Sequence, residues 1–445
     1  MTFRLYQHQS VGVDWLADRK RALLADDPGL GKTATALTAA QWVGSATVAN
    51  PLLVLAPAVA LGNWASEVAM VLGSGVSVSI VQNSKAALAP AAVTICSHSR
   101  AARPEVLAKL RQRGFACMVF DEAHAAKNPS TLRSKAFIGP GGLGQSVPYV
   151  WLLTGTPAPN HPGELWNYAR FLCPEQLDNS CRREAAWIRK YCVTRASSAP
   201  PYFKIVGGKN LDDLRARMAG VLLRRRKSDH LDLPPVRWTR VTVDDAKARA
   251  ELDKVLDHNV AEQVRKAFDS GAPLADVLKA MGGHTHLATW RRQCGLLKVP
   301  AAADLLLSEC EDAERSQVVF AHHLDVLEGL RARLAAGGVQ CVVLTGEVPP
   351  SERTKRVAEF QAGRAQIALC QIDAAGVAIT LHRASDVVMV EASWVPGSNR
   401  QAVDRCHRIG QSRSVLVRFL SLKGSLDEAM LEALRRKTAT LAQLY

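Results

Sequence analysis

The sequence predicts an α/β protein of two parallel-sheet lobes with helical insertions between them. Three observations predict it. Short apolar, strand-like runs alternate with longer helix-like stretches, the pattern of parallel sheets covered by helices. These runs fall in two sets, one before about residue 175 and one after about residue 300. And 445 residues at 48% hydrophobic content exceed what one ordinary core holds. The domains read as 1–175 for the first lobe, 176–300 for helical insertions and an inter-lobe linker, and 301–445 for the second lobe.

The strands of the first set are Leu52–Ala56, Val93–Cys96, Cys117–Phe120 and Val150–Leu153. Those of the second are Gln317–Phe320, Gln340–Leu344, Gln366–Cys370, Val387–Val390 and Val415–Phe419. Helical patterns such as 354–361 and 426–437 lie among them. The stretch 176–300 is rich in Arg, Lys, Asp and Ala. It shows little strand signal apart from 236–243 and reads as mostly helical, with Pro234-Pro235 as the linker.

Composition narrows the function. Lys and Arg number 56 against 41 Asp and Glu, a formal charge of +15. That excludes an acidic disordered chain and suits a polyanionic partner, a merely basic enzyme being the alternative. The start MTFRLYQHQS has no apolar signal core, and runs such as 52–61 are about half a membrane span. The ten cysteines are scattered and form no C-x-x-C pair, so no structural zinc is expected. A cytoplasmic protein that does not engage membranes follows.

The first chemical motif is Asp26-Asp27-Pro28-Gly29-Leu30-Gly31-Lys32-Thr33, between a short apolar run and the helix-forming Ala34–Ala40. A glycine-rich turn opening a helix aims backbone N–H groups at an anion. Lys32 would meet the β- and γ-phosphates of ATP, and the Thr33 hydroxyl would hold Mg²⁺. Asp26 stands where the general pattern has glycine. A second glycine-rich segment, Gly139-Pro140-Gly141-Gly142-Leu143-Gly144, matches a dinucleotide-binding pattern by letter. It precedes a strand instead of following one, so it reads as a surface loop.

The run Cys117–Phe120 ends in Asp121-Glu122-Ala123-His124, a DEAH box. Acidic residues at a strand's carboxy end stand where open parallel sheets bind ligands. Asp121 would hold Mg²⁺ and Glu122 would polarise the attacking water. Trp151-Leu152-Leu153 then enters Thr154-Gly155-Thr156-Pro157, a hydroxyl-bearing turn suited to sensing the nucleotide. In the second set, Arg405 and Arg408 are three apart, the spacing of one helix face. Two such guanidiniums can clamp a γ-phosphate as charge develops on it.

Together with L-T-G-T-P-A-P-N and Q-A-V-D-R-C-H-R-I-G-Q, these motifs, in this order, resemble the Swi/Snf-type ATPases of helicase superfamily two. Gln9 sits at the adenine-reading glutamine of that family. Ala56-Pro57 with Asn63, Trp64 and Glu67, Lys127-Asn128, Glu164-Leu165-Trp166, and Leu223 through Pro235 resemble further family segments. The likeness covers about residues 5–235 and 290–420. Arg292 through Pro300, Ala374 through Thr380, and Trp394-Val395-Pro396-Gly397 are similar to the annealing-helicase (HARP-like) subgroup. Two departures stand out: Thr35 replaces a frequent glutamine, and Ala378 a frequent glycine.

The resemblance implies two RecA-like lobes and a DNA-dependent ATPase using ATP and Mg²⁺. Gln9, Asp27, Gly29, Leu30, Gly31, Lys32, Thr33, Asp121 and Gln401 would bind the nucleotide, with Thr33 and Asp121 on the metal. Lys32, Glu122, Arg405 and Arg408 would carry the chemistry. Asn63, Trp64, Lys127, Asn128, Thr380 and Trp394 would touch double-stranded DNA. A minimal monomeric motor without accessory domains, associated with a bacterial or bacteriophage nucleoid, is expected. Three readings stay open: a duplex translocase, a remodeller or annealer of forked DNA, and an ATP-switched clamp that displaces a partner without processive motion.

Overall fold

The computed structural model describes residues 3–85, 87–196, 203–254, 284–312, 315–372 and 379–444. The chain divides into two compact units. The first runs to Leu231 and takes in the chain from Ala439, and the second is Asp232–Thr438.

The first unit is built on a seven-stranded sheet, all parallel. Its strands are β1 (Arg21–Leu24), β2 (Leu52–Ala56), β3 (Val78–Ile80), β4 (Val93–Ser97), β5 (Cys117–Phe120), β6 (Tyr149–Leu153) and β9 (Leu222–Leu223), in the order β3-β4-β2-β5-β6-β1-β9. β2, β4 and β5 are buried along their whole length, as strands covered on both faces must be, so they read as continuous apolar runs. Separate apolar clusters fill the two faces, one around Phe120, Phe137 and Tyr168, the other around Leu37, Trp64 and Trp151. An antiparallel pair, β7 (Cys192–Ala196) and β8 (Phe203–Gly208), stands outside this sheet.

The second unit holds a six-stranded parallel sheet. It comprises β10 (Val236–Val243), β11 (Gln317–Ala321), β12 (Cys341–Leu344), β13 (Ile367–Gln371), β14 (Asp386–Met389) and β15 (Val415–Leu422), in the order β10-β15-β14-β11-β13-β12. Its two faces likewise carry separate clusters. The two parallel-sheet lobes expected from the sequence are therefore present, and each of the nine predicted strands is found within a few residues of its expected place.

The stretch 176–300 differs from its reading as a helical block. Its described part is shared between the units and contains strands. β10 falls on the one expected strand signal, 236–243, and joins the second sheet beside β15; the unexpected strands are β9, which joins the first sheet beside β1, and β7 and β8, which pair with each other. The reason lies in pairing partners. β9 is only two residues long and earns its place from β1, about two hundred residues earlier, a pairing that local periodicity does not contain. Residues 255–283 of that stretch lie outside the described residues. So do Ala374 through Ala378, with the alanine that replaces a frequent glycine.

No described helix is long and apolar enough to cross a membrane. Among the described residues no group of three or more His, Cys, Asp and Glu is placed to hold a metal by itself.

Candidate nucleotide site and the second-unit arginines

β1 delivers the glycine-rich loop, and the loop opens the helix Lys32–Trp42. Gly29 and Gly31 take φ of 90° and 77°, the left-handed region that side chains avoid. A Cβ on Gly31 would also press on the flexible amide end of Gln9, but it is the backbone angle that calls for glycine there. The Lys32 ammonium folds back into its own loop and donates to the carbonyls of Asp26 (2.6 Å) and Asp27 (3.2 Å). Those carbonyls hold the cation where an anion would be received.

Gln9 reaches the same loop. Its Nε2 donates to the Leu30 carbonyl at 3.3 Å and its Oε1 accepts from the Tyr6 N–H at 2.9 Å. His8 Nε2 also meets the Leu30 carbonyl, at 3.0 Å. Leu30 is buried, and Thr33 is half-buried at the head of the helix. Thr35, the departure noted above, is fully buried and caps back onto the Gly31 carbonyl at 3.2 Å.

The two loop aspartates have structural partners far along the chain. Asp26 is wholly buried and accepts from Arg225 Nε at 3.0 Å and the Arg225 N–H at 3.1 Å. Asp27 accepts from Arg224 Nη2 at 3.2 Å and from the Lys227 N–H at 3.1 Å. The residues after β9 thus clamp the loop. This explains the missing glycine: the position is used for a buried ion pair.

The acidic box follows β5, two strands from β1 with β6 between them. Asp121 is held by the Trp64 indole N–H on Oδ2 (2.9 Å) and the Glu122 N–H on Oδ1 (2.9 Å). Burial first, and Glu122 second, push its pKa up to about 6, against the opposing pull of Trp64 and Lys32. That Lys32 is felt there ties the two motifs into one site. His98 donates to the Asp121 carbonyl at 2.8 Å, and burial drives its pKa down to about 4. Glu122 takes φ 46°, and His124 Nδ1 lies 3.1 Å from its carboxylate and 3.3 Å from Thr154 Oγ1. The threonine turn after β6 is thereby linked to the acid through one imidazole. A Cβ on Gly155 would meet Pro28 at 2.8 Å, so this turn also abuts the phosphate loop. The segment Gly139 to Gly144 precedes β6 and packs against the helix Leu132–Phe137, as expected for a structural loop.

The donor set fits a nucleotide-borne Mg²⁺. Two neighbouring carboxyl groups, both half-buried and one with a raised pKa, lower their mutual repulsion by sharing a divalent cation. Such an ion needs few protein ligands when phosphates supply the rest. Thr33 and Asp121 are the residues that would hold it.

Among the residues expected to touch DNA, Trp64 needs correction. It is 1% exposed, on the inner face of the helix Leu61–Val71 with Leu61 and Val68, and its one polar atom is spent on Asp121. It positions a carboxylate instead of meeting a phosphate. The i, i+3, i+7 spacing of Leu61, Trp64 and Val68 was the overlooked signal. Lys127 pairs with Glu164 at 2.6 Å and keeps a quarter of its side chain in water. Burial would raise the Glu164 pKa, but Lys127 and Asn160 outweigh it and hold it low. Asn63 is half-buried and Asn128 exposed, the latter accepting from Ser130.

In the second unit the helix Pro396–Val403 carries Gln401 and stops before the arginines. Arg405 and Arg408 therefore do not share a helix face, which corrects the spacing argument. They lie in a turn, because Gln411 draws the chain inward, its amide donating to the carbonyls of His382 (3.0 Å) and Ala384 (2.7 Å). Both arginines nevertheless converge on the segment after β13. The Arg405 carbonyl accepts from the Leu381 N–H at 2.8 Å, and Arg408 Nη1 donates to the Ile379 carbonyl at 3.4 Å. Thr380 between them is half-buried. Trp394 is partly buried against Met430 and Leu434.

Nearby, two buried charges escaped the sequence reading. Lys298 is 1% exposed and pairs with Asp427 at 2.8 Å. Glu391 accepts the backbone N–H groups of His322 and His323, both at 2.9 Å. Lys298 sits in Arg292 through Pro300, a segment whose resemblance was noted but whose chemistry was not.

Comparison with known proteins places these features. Residues 8–281 match the SNF2-related domain and residues 298–410 the helicase conserved C-terminal domain. The human DNA annealing helicase and endonuclease ZRANB3 is 28% identical over 446 residues, which is 98% of this chain and 40% of that one. A SWI/SNF-related matrix-associated actin-dependent regulator of chromatin subfamily A-like protein 1 homolog from Caenorhabditis elegans is 29% identical, over 99% of this chain and 62% of its own. The chain thus spans about half the length of these relatives. The Sulfolobus solfataricus SWI2/SNF2 ATPase core in complex with dsDNA aligns with a TM-score of 0.43 at 21% identity, over 96% of this chain and 90% of that one, too loosely to bear on the site.

Proposed function

The chain belongs to the SNF2-related family of helicase-like, DNA-dependent ATPases, and from that premise we propose that it is an ATP-driven motor on double-stranded DNA. The observation that carries the reading is the meeting of the phosphate loop, Asp121-Glu122 and Thr154 at the carboxy ends of β1, β5 and β6. These are the parts a phosphoryl-transfer site needs, and its catalysis is mostly positioning and charge stabilisation.

Each residue has a role in this reading. Lys32 leaves the carbonyls of Asp26 and Asp27 and binds the β- and γ-phosphates. The backbone N–H groups of Gly29 through Lys32 orient them. Gln9, pinned by Tyr6, reads the base. Thr33 and Asp121 hold Mg²⁺, which supplies charge neutralisation at the phosphates when bound. Glu122 orients and polarises water, with His124 reporting its state to Thr154. Arg405 and Arg408 meet the developing charge on the γ-phosphate.

DNA is the substrate in this proposal, and sequence-independent phosphate contact is its mode, in keeping with the charge of +15. Lys127, Asn128, Asn63 and Thr380 are its proposed contacts. Remodelling of forked DNA is the second reading, favoured by the likeness to relatives named as annealing helicases. The test is ATP hydrolysis measured without nucleic acid and with single strand, duplex, fork and RNA, followed by triplex displacement. Duplex-stimulated hydrolysis with displacement supports the motor. Stimulation without displacement turns the reading to an ATP-switched clamp.

A further inference from the structure

β10 is the edge strand of the second sheet. Arg237, Trp238, Thr239 and Arg240 on it are all exposed. Edge strands commonly carry charge; this one carries a partly exposed indole among its charges. Strand alternation puts Trp238 and Arg240 on one face, the face of Phe419 on β15. Trp238 stacks on Phe419 with ring centroids 5.8 Å apart and planes 18° from parallel. It remains 42% exposed. Its arginines are poorly satisfied. Arg240 approaches Glu428 only to 3.9 Å and stays about half in water, and Arg237 has no carboxylate partner among the described residues. A flat aromatic surface with a guanidinium on the same face, on an exposed edge strand that also carries Arg237, suits a ligand with planar rings on an anionic backbone, which is nucleic acid.

The state of that nucleic acid follows from the same geometry. Inside a closed duplex both faces of a base are covered by its neighbours, so a base within the duplex cannot lie on the indole, whereas an unpaired base can. We propose that Trp238, backed by Phe419 and with Arg240 on the same face of the strand, is a stacking platform for an unpaired nucleobase of a DNA strand. The platform is wired to the second-unit arginines. The Pro234 carbonyl, two residues before β10, accepts from His407 Nε2 at 2.8 Å, and His407 lies between Arg405 and Arg408. The same strand thus carries the platform and anchors the arginine turn. This rests on the DNA-motor reading above and adds to it the recognition of single-stranded arms.

The test measures binding of the full chain to labelled single-stranded DNA, blunt duplex and a fork with two single-stranded arms, by fluorescence anisotropy. Trp238→Ala is expected to weaken single-strand and fork binding about fivefold or more and blunt-duplex binding less than about twofold. Trp238→Phe should keep most of the affinity, and Trp238→Leu, apolar but without a π face, should not. Trp42, 72% exposed on the first unit and without a ring partner among the described residues, is the control, and Trp42→Ala should change none of the three. Equal losses on all three DNAs, or retention by the leucine variant, would overturn the platform. Because the phenylalanine and leucine variants keep a large apolar side chain, a folding defect in the alanine variant leaves the comparison decisive. Wild-type hydrolysis on blunt duplex tests the motor separately, so failure of that reading and failure of the platform are told apart.

Discussion

The carboxylate of Asp26, at the head of the phosphate loop, is wholly buried against the guanidinium of Arg225, which lies 199 residues further along the chain. A loop that must bend around phosphates is thus fixed from below by an ion pair with good geometry. Removing one partner of such a pair leaves the other as an uncompensated buried charge, which costs about 3–5 kcal/mol.

Asp26→Gly, which restores the general phosphate-loop pattern, is therefore expected to harm the protein. Its denaturant midpoint should fall by an amount equivalent to about 3–5 kcal/mol, with nucleotide binding lost alongside. Asp26→Asn should fall between the two. An unchanged midpoint for the glycine variant would show that the pair contributes nothing.

Trp64→Phe keeps the ring in its pocket and removes the N–H that holds Asp121. Loss of a hydrogen bond to a charged group is worth about 1.5–3 kcal/mol. The Mg²⁺ concentration needed for half-maximal turnover should rise about tenfold or more, and Mn²⁺ binding in the presence of nucleotide, read by electron paramagnetic resonance, should weaken in parallel. Duplex affinity without nucleotide should not change. A loss confined to DNA binding would return Trp64 to the DNA contacts.

Acid stability exposes the same corner. His98 is neutral in the fold with its pKa near 4, so the unfolded chain takes up its proton first and stability falls as pH drops from about 6.5. Asp121, with its pKa raised to about 6, binds its proton more readily when folded and works in the opposite direction between about 6 and 4. The two offset each other in the nucleotide-free protein. Asp121→Asn removes only the second effect. Relative to wild type it should lose about 2 kcal/mol on going from pH 7 to pH 4, measured by urea unfolding at each pH. A constant difference across that range would refute the raised pKa.

Arg405→Ala and Arg408→Ala should each lower turnover about a thousandfold or more, with a much smaller loss in ATP binding, because the charge they meet grows in the transition state. Single-turnover kinetics beside equilibrium binding separates the two. Chains divided between Leu231 and Asp232, the boundary of the units, should hydrolyse ATP hardly at all. Full duplex-stimulated hydrolysis by the first unit alone would remove the arginines from the site.

Much of this site was readable because its chemistry is local. A glycine-rich turn before a helix, or an acidic pair after an apolar strand, is written in consecutive residues. The parts that escaped are joined across the chain. β9 is two residues long and finds its partner in β1; Arg224 and Arg225 meet Asp27 and Asp26 only because that pairing exists. Trp64 was misplaced because its motif was read for its neighbours and not for the apolar face it shares with Leu61 and Val68. The arginine spacing of three suggested a helix, but Gln411 folds that segment into a turn through carbonyls about thirty residues upstream. Local periodicity carries the Trp64 face but is silent on the strand pairing and on the turn.

The pairing of β1 with β9 also sets a timetable for biosynthesis. As the chain leaves the ribosome, residues through Leu153 can complete six of the seven strands of the first sheet. The strand bearing the phosphate loop then waits as an open edge, with Asp26 lacking its cation, until Leu222 through Arg225 emerge. A nascent chain shorter than this would hold the ATP motif in its sequence without a loop stiff enough to grip phosphate, and its unpaired apolar edge would invite other chains or a chaperone. Competence for nucleotide thus arrives late and in one step, when the first unit is nearly fully synthesised.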